Sequence, residues 1–224
     1  MIADVTIVVY TFILLGAAYL YLFKRYKLSF ADGAKAVIRK NIKFILLTLV
    51  LVIPFLIITL RYMDRMGADM CPLLLRWTTI IWGVYLLAKV DFHEQKIPNE
   101  IVLVMLGLRV AFLIYEAIVN LDYLKMVLTP PILGALAGAL VMAVAFLISR
   151  KGVGMGDVKL FIVIGFFVGS TSIISTMFYT FFASAIVGII LLLTKKAGLK
   201  DSVPMAPFAF VGVVVEYVIF TIGG

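Results

Sequence analysis

The sequence predicts an all-α polytopic membrane protein with about eight transmembrane helices, one of them short or re-entrant. Three observations carry that prediction. Of the 224 residues, 64% are hydrophobic and only 14% charged. The mean hydropathy of +1.18 is far above that of a soluble domain. Apolar runs near transmembrane length recur between short clusters of Lys and Arg. Because one membrane-crossing helix uses about 20 mostly apolar residues, little chain is left for an aqueous domain. No fixed-period repeat, low-complexity tract or long linker interrupts the pattern, so residues 1–224 read as a single membrane domain.

The runs fall at 5–23, 44–60, 73–90, 101–119, 127–148, 158–168, 171–193 and 204–222. The first has no positive charge ahead of it, unlike a secretory signal with its basic leading region, and reads as a retained span. The sixth is the short one, separated from the seventh only by Gly169, Ser170, Thr171 and Ser172. Orientation follows from the basic residues. Lys24, Arg25, Lys27, Lys35, Arg39, Lys40 and Lys43 crowd a first loop of about 20 residues, Arg150 and Lys151 mark a later one, and Lys195, Lys196 and Lys200 another. With eight spans these loops share one side, the cytoplasmic one, and the N terminus lies outside. The opposite loops balance Arg61 and Arg65 with Asp64 and Asp69, and Lys125 with Asp122.

The formal net charge of +8 is therefore explained by topology and does not point to nucleic acid. The basic first loop also suits contact with anionic lipid headgroups. Cys71 is the only cysteine and His93 the only histidine, which excludes an internal disulfide and a Cys/His zinc centre; no metal site is expected. Inside the spans, Arg109 and Glu216 fall at similar depth from the same face, and pairing between them is the structural expectation.

Two segments carry chemistry. Asp91-Phe92-His93-Glu94-Gln95-Lys96-Ile97-Pro98-Asn99 follows the third run, and Gly154-Met155-Gly156-Asp157-Val158-Lys159-Leu160 precedes the sixth. Each has an ordinary explanation: Asn99 with Glu100 suits a helix start after Pro98, and Asp157 suits an N-cap. Taken together they place two carboxylates at helix ends on one side of the membrane. Two carboxylates that share a proton and hold a water between them perform general acid-base hydrolysis of a peptide bond. Gly154 and Gly156 offer backbone freedom and close approach for a turn entering a cavity. Lys159, one turn into its helix, reads as a snorkelling side chain without a catalytic role. Glu94 and Glu100 beside Asp91 are candidates for attracting a basic substrate.

An Asp followed shortly by Ile-Pro-Asn, and later by Gly-x-Gly-Asp-x-Lys-Leu, resembles the type IV prepilin leader peptidase family, membrane aspartyl proteases of the Gly-x-Gly-Asp kind. The resemblance covers residues 84–208 and includes Pro204-Met205-Ala206-Pro207-Phe208, which looks like the proline-containing start of that family's last helix. It implies an endopeptidase of the cell's inner (cytoplasmic) membrane that removes the short basic leader of a pilin or pseudopilin precursor at the cytoplasmic face. By residue match it implies catalysis by Asp91 and Asp157, with Gly154, Gly156, Pro98, Asn99 and Lys159 as supporting motif residues. Proteolysis of this kind needs no cofactor. Many bacterial relatives also methylate the new N terminus, which uses S-adenosylmethionine, and carry paired cysteines near the first span. This chain departs from that cysteine pattern.

Two other readings compete. A presenilin-like or signal-peptide-peptidase-like protease pairs its Gly-x-Gly-Asp with a Tyr-Asp and a Pro-Ala-Leu; here Val90 precedes Asp91, and Pro204-Met205-Ala206 matches poorly. A proton- or cation-coupled transporter would place its carboxylates near the bilayer midplane, whereas both Asp residues fall near one face. The sequence names no precursor and no oligomeric state.

Overall fold

The computed structural model describes residues 2–26, 34–149, 154–195 and 203–223, with side chains described throughout these ranges except at 34–45, 68 and 149. Among the described residues eight α-helices follow one another: α1 (Ile2–Arg25), α2 (Ala34–Met66), α3 (Cys71–Glu94), α4 (Asn99–Val119), α5 (Leu124–Ser149), α6 (Met155–Val168), α7 (Ile173–Leu193) and α8 (Ala206–Gly223). Seven are long and apolar enough to cross a membrane, α2 through its stretch Leu46–Met66. The chain is thus an all-α, multi-pass membrane protein. α6 is the exception. Its 14 residues give a length of about 21 Å, short of a hydrocarbon core of about 30 Å.

The predicted first loop is shorter than expected, because α2 begins at Ala34, well ahead of the apolar run. Ala, Lys and Arg are strong helix formers, so the helix extends beyond the apolar segment instead of stopping with it. Of the basic residues used to predict orientation, Lys27, Arg150, Lys151, Lys196 and Lys200 lie outside the described residues, as do the side chains of Lys35, Arg39, Lys40 and Lys43.

The chain forms two compact units, residues 1–75 with 221–224, and residues 76–220. In the first, α1 buries Ile7, Thr11 and Leu22. In α2, Val52, Phe55, Thr59, Tyr62 and Met63 are buried. The buried hydroxyls of Thr11 and Thr59 donate to Ile7 O and Phe55 O one turn back, which removes the cost of a hydroxyl in an apolar setting. At the end of α2, Arg65 donates to the Thr221 carbonyl.

The second unit holds the candidate site. There α3 and α8 run antiparallel along an aromatic seam, with Trp77 against Tyr217 and Phe220 at one end and Tyr85 against Phe210 nearer the other. α5 and α6 pack backbone to backbone. A Cβ built on Gly134 would lie 2.2 Å from Gly165 O, one on Gly165 would lie 2.1 Å from Gly134 O, and one on Gly138 would lie 2.4 Å from Phe161 O. The Gly134-x-x-x-Gly138 spacing is thus a small-residue stripe that lets two membrane helices touch where apolar burial offers little drive. The turn after α6 is tied to the same helix, as Ser170 N–H donates to Pro130 O at 2.9 Å. Gly169 makes that turn with a φ of +84°, a conformation that favours glycine.

Candidate active site

Asp91 sits in the last turn of α3 and is buried. The helix ends there because Gln95 turns left-handed, with φ 51°, while its N–H still bonds to Asp91 O at 2.8 Å. Ile97 and Pro98 then run into α4, since a residue before proline is pushed out of the helical region. The side chain of Asp91 reaches α8. Its Oδ2 accepts the Ala206 N–H at 3.0 Å, with the Met205 N–H beside it, so the carboxylate occupies the N-terminal end of that helix. The aromatic seam between α3 and α8 sets this contact.

Asp157 enters from the other segment. It is the third residue of α6 rather than its cap; the cap is Gly154. Asp157 Oδ2 accepts the Gly154 N–H at 3.1 Å, while Gly154 O accepts the Asp157 N–H at 3.0 Å. The reciprocal pair satisfies one orphan donor and fixes the side-chain direction. Asp157 is half-buried. Burial pushes its carboxyl above the ordinary value, the Gly154 hydrogen bond pulls it partly back, and the negative charge of Asp91 pushes it up again. The charge of Asp91 thus acts on Asp157.

The expectations for Gly154, Asn99 and Lys159 change at this point. Gly154 is extended, with φ −84° and ψ 151°, a conformation open to any residue. Gly156 is helical, and what it supplies is space: a Cβ there would lie 3.3 Å from Ile97 Cβ, so the two motif turns pack directly on each other. Asn99 does not cap α4 with its side chain. That helix follows Pro98 without a side-chain cap, and Asn99 Oδ1 instead accepts from Lys159 Nζ at 3.0 Å. Lys159 thus latches the second motif onto the first rather than merely snorkelling. Replacing it with Met is expected to lower turnover about three- to tenfold and stability by at most about 1 kcal/mol, the usual worth of one exposed hydrogen bond; turnover assays and thermal melts of the same detergent sample check both.

Arg109 and Glu216 do not pair. Arg109 Nη1 bonds Glu116 Oε2 at 3.1 Å, two turns along its own helix, and Arg76 Nη1 bonds Glu116 Oε1 at 3.1 Å. The i,i+7 spacing returns both residues to one face of the helix two turns apart, a gap that a long Arg side chain spans, whereas equal depth on a second helix does not guarantee contact.

Asp91 and Asp157 line one cleft of about 510 Å³, together with Asn99, Lys159, Gly154 and Gly156. Met142 of α5, Phe181 of α7 and Val203 before α8 supply an apolar wall. Glu94 and Glu100 are not among its lining residues. Sequence reasoning missed the wall and the Met205 and Ala206 N–H groups. The proline-containing start of α8 was the available signal for the latter.

The cleft is a carboxylate pair at two helix starts, beside a polar latch and an apolar surface. Among the described residues no His, Cys, Asp and Glu cluster suits a metal ion. The model of the family described as "Type IV leader peptidase family" matches residues 78–193. A prepilin leader peptidase/N-methyltransferase of Bacillus subtilis (strain 168) is 34% identical over 132 residues, 59% of this chain and 50% of the relative. The match therefore spans about half the length of that relative. No solved structure matches the chain.

Proposed function

We propose that this chain, which belongs to the type IV leader peptidase family, is a membrane aspartyl endopeptidase that removes the basic leader of a pilin-like or pseudopilin-like precursor. The observation that carries the reading is that Asp91 and Asp157 line one cleft, where the Asp91 charge raises the cost of ionising Asp157. One shared proton relieves that repulsion and yields an acid and a base at once. The ionised carboxylate takes a proton from water, whose oxygen attacks the peptide carbonyl carbon. The protonated partner gives its proton to the leaving nitrogen as the C–N bond breaks, and a carboxylic acid and an amine leave. The apolar wall suits a substrate whose cleavage point adjoins an apolar helix, and the bilayer presents such a helix laterally. Hydrolysis by this route takes no cofactor. The second activity in the relative's name, N-methylation, is outside the proposal and would call for S-adenosylmethionine.

A cytoplasmic placement of the cleft is part of the proposal, and the sequence supports it: with eight spans, Asp91 and Asp157 fall on the side of the basic loops. The transporter reading loses support from this placement at helix ends.

The pair's pH behaviour follows from the sign of the Asp157 shift. Its carboxyl keeps a proton to higher pH than an ordinary one. Cleavage is therefore expected to fall on the alkaline side as the shared proton leaves, and on the acid side as the base is neutralised. The decisive experiment is cleavage of a prepilin-like reporter by membranes carrying this chain, read by the mass of the new N terminus. A product cut at the leader boundary supports the reading; an intact reporter beside well-inserted protein overturns it.

A further inference from the structure

α6 has 14 residues, and its last carbonyls have no partner within the regular helix ladder. One is satisfied by the helix itself, as Gly169 N–H donates to Gly165 O at 2.9 Å. The next is satisfied from outside: Arg109 Nε donates to Phe166 O at 2.8 Å, and its guanidinium carbon lies 5.6 Å from the Phe166 ring centroid. The cation sits at the negative end of the α6 dipole. Arg109 is only 1% exposed, and its Nη1 bonds Glu116, a carboxylate that it shares with Arg76 of α3. A fully desolvated guanidinium is costly unless such partners fix it in one geometry.

The same two helices are joined at their other ends by Lys159 and Asn99, and by the packing of Gly156 on Ile97. α6 is therefore clamped to α4 at both ends, and α4 continues from the turn that carries Asp91. A shift of α6 along α4 moves Asp157 by the same amount.

We propose that Arg109 is a positioning residue: by holding the C-terminal end of α6 on α4, with Glu116 and Arg76 anchoring its guanidinium, it sets where Asp157 stands relative to Asp91. The proposal rests on reading these two residues as the hydrolytic pair. Arg109 touches neither carboxylate and acts through the helix.

The test has two readouts. In a Cys71→Ser background carrying Asp91→Cys and Asp157→Cys, a short bifunctional thiol reagent reports the separation of the two positions without any need for activity. Arg109→Gln is expected to reduce that cross-link. In the otherwise native chain it is expected to lower reporter kcat about tenfold or more with KM within about twofold, because misplacing a reacting group by about 1 Å is enough. Arg109→Lys, which keeps a charge and a donor but not the fork, is expected to regain part of both. If Arg109→Gln does not insert, Glu116→Gln, which leaves the bond to Phe166 but frees the guanidinium, is expected to show the same two effects at smaller size. Lower thermal stability with unchanged cross-linking and kcat overturns the proposal, as does an absent cross-link when Arg109 is present. Should Asp157→Asn retain cleavage while Arg109→Gln still reduces the cross-link, the hydrolytic reading fails and the positioning role stands.

Discussion

Asp157→Asn is expected to abolish reporter cleavage, on the order of 10⁴-fold, while leaving the protein at least as stable as the parent at neutral and alkaline pH. The two halves come from one feature. Asn keeps a side-chain oxygen to accept the Gly154 N–H, so the start of α6 survives, but it can neither accept nor release the proton that hydrolysis needs. On stability, the folded Asp157 carboxyl is held above its ordinary value, chiefly by burial. A carboxyl raised in this way contributes stability that is fully present below the unfolded value and is lost as pH rises through the folded one. The ionised residue is therefore a burden on the fold at the pH of use, and the amide does not carry it. Asp91→Asn is expected to be equally inactive. Asn there keeps a side-chain oxygen to accept the Ala206 N–H, so the contact with the α8 N terminus survives. Reporter turnover and thermal melts across pH check both. Retained cleavage in either variant sinks the carboxylate pair, and a steep loss of stability in Asp157→Asn above neutral pH sinks the electrostatic account.

Much of this arrangement was legible in the residues. Hydropathy located all eight helices, because a segment that must bond its own backbone in lipid has to be both apolar and helical, and few other patterns look like that. It misjudged their ends where polarity and helix formation part company, as at Ala34, where a basic sequence goes on as helix. The spacing of Asp91 and Asp157 from helix ends placed them on one side, but nothing in the order of residues says that Lys159 bonds Asn99 or that Ala206 faces Asp91. Those contacts depend on which helices become neighbours. Arg109 shows the same limit. Equal depth suggested Glu216, whereas the helix ladder offered Glu116 two turns away and the end of α6 offered a carbonyl. The partner was encoded in the 3.6-residue period and in the end of the sixth run, whose last carbonyls need partners from outside the helix.

Gly165→Val is expected to be the most damaging single change outside the carboxylates, costing about 3 kcal/mol or more. The reason is the contact between α5 and α6. A Cβ at this position would meet Gly134 O at 2.1 Å, Gly134 C at 2.6 Å and Ala135 N at 3.0 Å, all backbone atoms that have no rotamer in which to retreat. The helices must separate, and every neighbouring contact along the stripe loosens with them, including Gly138 on Phe161 O and Ser170 N–H on Pro130 O. Membrane helices gain little from apolar burial, so close packing is a large share of what holds this pair together. Glycine as such is not what matters here. Gly188 in α7 has nothing within 4 Å of a built Cβ. Gly188→Ala is therefore expected to be neutral or stabilising, by up to about 1 kcal/mol of helix propensity. Melts of both variants in one detergent separate the two causes. A tolerated Gly165→Val would mean that α5 and α6 can part without penalty, and α6 would then lose one of the supports that place Asp157.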